Sequence, residues 1–126
     1  MGQIIPRRTR SILIVEDEAL IRFELIDFFE DAGFTVSEAE NADEAIAILK
    51  EDSSIQVVLT DVQMPGSMDG IRLAHHIRDR HPPTLLVVTS GVRNPVKSDL
   101  PTDCFFVPKP INNRQVLGRI EQMMLH

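Results

Sequence analysis

Residues 57–66 read VVLTDVQMPG, a run of strand formers that ends on a lone carboxylate, Asp61, with a Met-Pro-Gly turn just beyond it. An unbroken aliphatic run suits a strand covered on both faces, and such strands belong to parallel sheets. The same kind of run recurs on either side of it. SILIV (11–15), FTVSEA (34–39), IQVVLT (55–60), TLLVVTS (84–90) and CFFVP (104–108) read as strands. Between them lie stretches with helical spacing. EDEALIRFELIDFFEDAG sets Leu20, Ile21, Phe23, Leu25, Phe28, Phe29 and Ala32 at helical intervals, begins acidic and stops at Gly33. NADEAIAILKED has Asn41 as its cap, and MDGIRLAHHIRDRH ends before Pro82-Pro83. NNRQVLGRIEQMML follows the last strand with Val116, Ile120, Met123 and Met124 on its inner side. Strands alternating with helices through short loops predict an α/β fold: a doubly wound, five-stranded parallel sheet with helices on both faces. Such folds bind ligands beyond the carboxyl ends of their strands.

The composition sets bounds on function. A chain of 126 residues is long enough for one domain with its own core. We expect a flexible tail over residues 1–10, with Arg7, Arg8 and Arg10 solvated, and a folded domain over 11–126. A formal charge of −6 argues against nonspecific nucleic-acid binding, which needs positive charge to displace counterions. The single cysteine, Cys104, excludes an internal disulfide and fits a reducing compartment; it reads as a buried small hydrophobe. No apolar stretch reaches the length of a membrane span, and MGQIIPRRTR lacks a signal-peptide apolar segment. The expected setting is the cytoplasm. His75 and His76, adjacent on a helix, point in different directions and read as solvated side chains, and His81 as a helix-end residue.

The unusual polar residues fall at one edge of the expected sheet. Glu16, Asp17 and Glu18 follow strand one, Asp61 ends strand three, Thr89-Ser90-Gly91 ends strand four, and Lys109-Pro110 follows strand five. Singly, each has a plain explanation: acids suit a helix N-terminus, and the others suit a turn, a cap and a solvated loop. Together they bring acids, a hydroxyl and a lysine to one place. Carboxylates gathered there repel one another unless a hard cation with oxygen ligands joins them, and Mg²⁺ is the natural choice. With a cation the site attracts a phosphoryl group, and a carboxylate can act as nucleophile toward phosphorus. Lys109 and a hydroxyl at Ser90 or Thr89 would then meet the phosphoryl oxygens. The site reads as a phosphoryl acceptor.

The motifs ILIVEDE, VVLTDVQMPGSMDG, VVTSG and VPKP, in this order after these strands, resemble those of the receiver domains of two-component response regulators. The resemblance runs from about residue 10 to the end and implies a flavodoxin-like (βα)5 fold. It matches Asp61 to the phosphorylated aspartate, and Glu16 and Asp17 to the acidic pair that holds Mg²⁺, with the backbone carbonyl of Gln63 completing the protein ligands. It matches Lys109 to the family lysine and Pro110 to the proline that follows a cis peptide. Ser90 matches the switch hydroxyl, with Thr89 the alternative by strand counting, and Phe106 sits at the aromatic conformational switch. A sensor histidine kinase or histidine phosphotransfer protein would supply the phosphoryl group. A downstream protein target would read it, with no direct contact to nucleic acid or membrane. The resemblance further implies no enzymatic turnover beyond Mg²⁺-dependent self-phosphorylation and autodephosphorylation. The chain would act as a single-domain regulator or phosphate shuttle; the alternative is a receiver cut from a larger hybrid kinase or response regulator.

Two departures from the family pattern stand out. MPGSMDG holds one residue more than the usual Met-Pro-x-Met-Asp-Gly loop. In GVRNPVKSDLPTD, Pro95 and Pro101 leave room for about two turns, so a shortened fourth helix is expected there. Other phosphate chemistries fit less well. A dehalogenase-like phosphatase resembles Asp-x-Asp at this point, and here Gln63 stands in place of the second acid. A flavodoxin-like cofactor site wants Ser, Thr and Gly donors after strand one, where EDEA would repel a flavin phosphate.

Overall fold

The computed structural model of the protein describes residues 10–91 and 99–124. The elements run β1 (Arg10–Val15), α1 (Ala19–Asp31), β2 (Phe34–Ala39), α2 (Ala42–Glu51), β3 (Val57–Asp61), α3 (Gly70–Arg80), β4 (Leu85–Ser90), β5 (Cys104–Pro108) and α4 (Asn113–Met124). The strands form one sheet in the order β2-β1-β3-β4-β5, every pair parallel. This is the doubly wound arrangement expected. The chain order reverses between β1 and β3, which places the switch point beside Asp61.

Strand alternation sorts the core into two layers. Leu13, Val15, Val58, Leu86 and Val88 face α2 and α3, where Ala45, Leu49, Leu73 and Ile77 meet them. Ile12, Ile14, Val57, Leu59 and Val87 face the other way, onto Leu25, Phe29, Val116 and Ile120 of α1 and α4. β1 and β3 are buried along their whole length apart from Arg10, as their unbroken aliphatic runs require. The helix starts follow local chemistry. Asn41 accepts from the Glu44 backbone N–H to cap α2, and Asp69 accepts from that of Arg72 to cap α3. Gly33, at φ +92°, supplies the left-handed residue that ends α1 and turns the chain into β2.

Several expectations are corrected. Arg10 belongs to β1 rather than to a tail: its guanidinium donates to Glu121 and to the Ala32 carbonyl, and stacks over Phe34. Leu20 and Phe23 are 81% and 50% exposed. α1 carries apolar residues around most of its circumference, and the face pressed on the sheet is Arg22, Leu25 and Phe29. His75 is not simply solvated, because its Nε2 lies 2.7 Å from the Asp99 carbonyl oxygen. The shortened fourth helix falls largely on residues 92–98, outside the described residues.

Candidate functional site

Four loops meet beyond the carboxyl ends of β1, β3, β4 and β5. The first is the turn from β1 into α1. Glu16 continues the ladder, its N–H donating to the Ala39 carbonyl, and its side chain is 3% exposed. One Glu16 oxygen accepts from the Glu18 backbone N–H at 3.2 Å, and the other accepts from Lys109 Nζ at 2.8 Å. Asp17, the next residue, is exposed. Burial pushes the Glu16 carboxyl above its ordinary range, against the pull of Lys109.

Asp61 closes β3 opposite Thr89 in the register and is 6% exposed. Its Oδ2 lies 3.2 Å from Lys109 Nζ. Its Oδ1 is buried without a hydrogen-bond partner, the one such side-chain atom among the described residues. A carboxylate oxygen in that position costs free energy unless something outside the protein's own donors meets it. Burial raises the Asp61 carboxyl, Lys109 opposes the rise, and the Asp17 charge adds to it. Glu16, Asp17 and Asp61 each bring a carboxylate oxygen within 4.8 Å of the others. Hard oxygen donors gathered at that spacing fit a divalent cation such as Mg²⁺.

The chain just past Asp61 is held by a close backbone approach. Gly70 N–H donates to the Val62 carbonyl, and a Cβ on Gly70 would fall inside contact distance of the Asp61 carbonyl oxygen and 2.8 Å from its carbon. In this loop the Ser67 hydroxyl donates to Asp43 at the start of α2. An open depression of about 430 Å³ lies here, lined by Asp17, Val62, Gln63, Met64, Pro65 and Asp69.

β4 and β5 supply the remaining groups. Thr89 and Ser90 are 2% and 3% exposed, and the Ser90 hydroxyl donates to Gln63 Oε1 at 2.9 Å. Lys109 N–H donates to the Ser90 carbonyl, which ties the lysine to the hydroxyl strand. The Lys109–Pro110 peptide is cis. Burial alone would lower the Lys109 pKa; its hydrogen bond to Glu16 and the Asp61 charge outweigh that, and the net shift is upward. Phe106 is half-buried and packs against the α2–α3 side of the core, as does Leu100.

Glu16, Asp17, Asp61, Gln63, Ser90 and Lys109 therefore converge at one sheet edge. Phe106 stands apart on β5, and Thr89 lies level with Asp61 one residue before Ser90. Sequence reasoning missed one charged residue at this edge. Arg22 of α1 is 5% exposed and donates to the backbone carbonyl of Glu16. Its position three and seven residues before Leu25 and Phe29, on the buried stripe, was the available signal.

Comparison with known proteins identifies the family. Residues 12–121 match the response regulator receiver domain family. The response regulator receiver protein CpdR of Brucella abortus is 32% identical over 120 residues, covering 92% of this chain and 98% of that protein. Sensor kinase CckA of the same organism is 32% identical over 118 residues, 90% of this chain. The chain spans only 12% of CckA and 48% of a further relative, the transcriptional regulatory protein ResD of Bacillus subtilis. Among solved structures, a response regulator receiver protein from Sinorhizobium medicae superposes with a TM-score of 0.82 at 28% identity, covering 90% of this chain and 93% of that one.

Proposed function

The chain belongs to the response regulator receiver domain family, the phosphoryl acceptors of two-component signalling, and on that premise we propose that Asp61 is its phosphoacceptor. The observation that carries this reading is the buried, partnerless Asp61 Oδ1 beside a carboxylate pair and a lysine. Receiver domains take phosphoryl groups from histidine kinases or phosphotransfer proteins. In that reaction an Asp61 oxygen bonds to phosphorus, the bond from phosphorus to the donor's imidazole nitrogen breaks, and the electron pair stays on that nitrogen.

Family members bind Mg²⁺ at this pocket, and here Glu16, Asp17, Asp61 and the Gln63 backbone carbonyl would hold it. When bound, it offsets the negative charge of carboxylates and phosphoryl oxygens. Lys109 already spans Glu16 and Asp61, so it is placed to pair with a phosphoryl oxygen once Asp61 carries an acyl phosphate. The Ser90 hydroxyl, bonded to Gln63 in this state, would turn to another phosphoryl oxygen; Thr89 is the alternative donor. Phe106 would follow that movement.

A protein donor rather than a small metabolite suits the surroundings, because Leu20 and Phe23 expose apolar surface on α1 just past the acidic pair. The output is a change in protein binding, with no catalytic turnover beyond acquiring and hydrolysing the acyl phosphate. The near-complete span of CpdR supports a single-domain regulator or shuttle. The match to a segment of CckA supports the second reading, a receiver module of a larger hybrid protein.

The test is intact-mass analysis after incubation with acetyl phosphate and Mg²⁺. One phosphoryl addition is expected in the wild type, and none in Asp61→Asn or without Mg²⁺. Retention of the label in Asp61→Asn would show that another residue accepts it.

A further inference from the structure

Arg22 sits where a charged residue is costly. It is 5% exposed on the sheet-facing side of α1, between Leu20 and Phe23, which are both exposed. Two sets of contacts offset the burial. Toward β2, Nε donates to Glu38 Oε1 at 2.8 Å, and Nη2 reaches Glu40 Oε1 at 3.5 Å. Toward the site, Nη1 donates to the backbone carbonyl oxygen of Glu16 at 2.8 Å, in a fully buried bond. The Glu16 N–H is meanwhile held by Ala39 O at 3.0 Å.

The two bonds hold both peptide groups of Glu16. The carbonyl that Arg22 holds belongs to the peptide linking Glu16 to Asp17, so its plane sets the direction in which Asp17 leaves the backbone. Asp17 itself is exposed, and the buried anchor lies on the residue before it. Glu38 and Glu40 counter the Arg22 charge locally, so its effect on the acidic pocket is geometric rather than neutralising. We infer that Arg22 is a positioning residue for the acidic pair: through the Glu16 carbonyl it orients Asp17 toward the cation that Glu16, Asp17 and Asp61 share. A guanidinium does this because its rigid fork serves a carbonyl and a carboxylate at once, which an ammonium on a single-pronged stem does not. Outer contacts that orient metal ligands characteristically change affinity by roughly 10–100-fold when removed.

This inference rests on reading the acidic pair as a Mg²⁺ site, and the experiment separates the two. The chain has no Trp or Tyr, so Mg²⁺ affinity is read by isothermal titration calorimetry rather than intrinsic fluorescence. The variants are Arg22→Met, Arg22→Lys, the pair Glu38→Gln with Glu40→Gln, and Asp17→Asn as the site control. Urea unfolding in Mg²⁺-free buffer reports the stability of each. Arg22→Met should weaken Mg²⁺ binding by roughly tenfold or more, and Arg22→Lys by several-fold. The Glu38/Glu40 pair removes the ion pairs but leaves the bond to Glu16. It should lose stability while holding Mg²⁺ affinity within about twofold, a split that a purely structural Arg22 would not produce. Unchanged affinity in either folded Arg22 variant, with Asp17→Asn weakened, overturns the inference alone. Equal weakening in the Glu38/Glu40 pair also overturns it, because the effect would then run through charge or fold. Unchanged affinity in Asp17→Asn overturns the metal reading and this inference with it.

Discussion

At the amino ends of the strands, Ser11 and Gln56 hold each other. The Ser11 hydroxyl donates to the Ser54 carbonyl at 2.8 Å and accepts from the Gln56 N–H at 3.1 Å, and the Gln56 side chain accepts from the Ser11 N–H. Arg78, the cation nearby, spends its guanidinium on the carbonyls of Thr102, Pro82 and Asp103. At the carboxyl ends, buried carboxylates crowd one lysine and an Asp61 oxygen goes without a partner. Both edges consist of strand ends and loops. At the first, Ser11, Gln56 and Arg78 pair with one another's surroundings and with backbone carbonyls, beside an open depression of about 1020 Å³ lined in part by Ser54, Gln56, Arg78, Arg80 and His81. The second is left ionic and under-satisfied, which lowers stability there and leaves groups free to react. Surplus polar potential, rather than polarity alone, sets the candidate edge apart.

The sharpest way to break this contrast is to disturb the backbone under the ionic edge. Gly70→Ala forces a Cβ against the Asp61 carbonyl, a clash between main-chain groups that side-chain adjustment cannot relieve. We expect a loss of about 3 kcal/mol in urea unfolding, the upper part of the range for overpacking, together with loss of acetyl-phosphate labelling. Stability within about 0.5 kcal/mol of wild type would mean that the loop yields easily.

The next test probes how closed the quiet edge is. Cys104 begins β5 there, and burial raises its thiol to about 11 from an ordinary 9.0. Near pH 8 its thiolate population, and hence its alkylation by iodoacetamide, should run about a hundredfold below that of an unperturbed thiol. Alkylation at the rate of a free thiol would show that this edge opens.

At the ionic edge, protons and the proposed cation would compete for the same oxygens. Raised carboxyl groups take up protons at higher pH than ordinary ones, so Mg²⁺ affinity should begin to fall while the solution is still above 4.5, the ordinary glutamate value. A several-fold decline between neutrality and mildly acidic pH is expected by calorimetry. Affinity that holds flat until ordinary carboxylate titration would place Glu16 outside the cation's reach.

The smallest effects carry opposite signs. Ser11→Ala strands its partners at the quiet edge and should cost about 1 kcal/mol. Asp61→Asn removes a carboxylate that burial disfavours in its charged form, and should raise Mg²⁺-free stability by about 1 kcal/mol. The sign follows from the upward shift: the fold favours the protonated acid, so at neutral pH the ionised group weighs against folding, and a neutral amide relieves that. Equal signs in the two variants would dissolve the contrast.

Much of this was legible in the chain itself. β2 matches its FTVSEA run, the Asn41 cap is where the local chemistry put it, and the acids, hydroxyl and lysine converge as the alternation of elements required. Local periodicity and capping chemistry suffice for such features. The misses share a cause. α1 is apolar nearly all round, so spacing could not say that Leu20 and Phe23 face outward. Arg22 is buried where Glu38 and Glu40, from another strand and its end, and the Glu16 carbonyl meet it. His75 meets a carbonyl 24 residues away. Each depends on partners that no local window contains.

The bond between Glu16 and Lys109 spans 93 residues of chain. A polypeptide emerging from the ribosome therefore displays its acidic loop, and then Asp61, well before the cation that pairs with them. Over that interval Lys109 is not there to pair with Glu16 and Asp61, and β5 is missing from the sheet edge. On the proposed mechanism, a nascent receiver lacks its phosphoryl-pairing lysine until β5 has been made. Nascent chains stalled short of Lys109 should stay unmodified by acetyl phosphate, whereas released chains accept it. On that reading, the order of translation would keep copies lacking Lys109 silent.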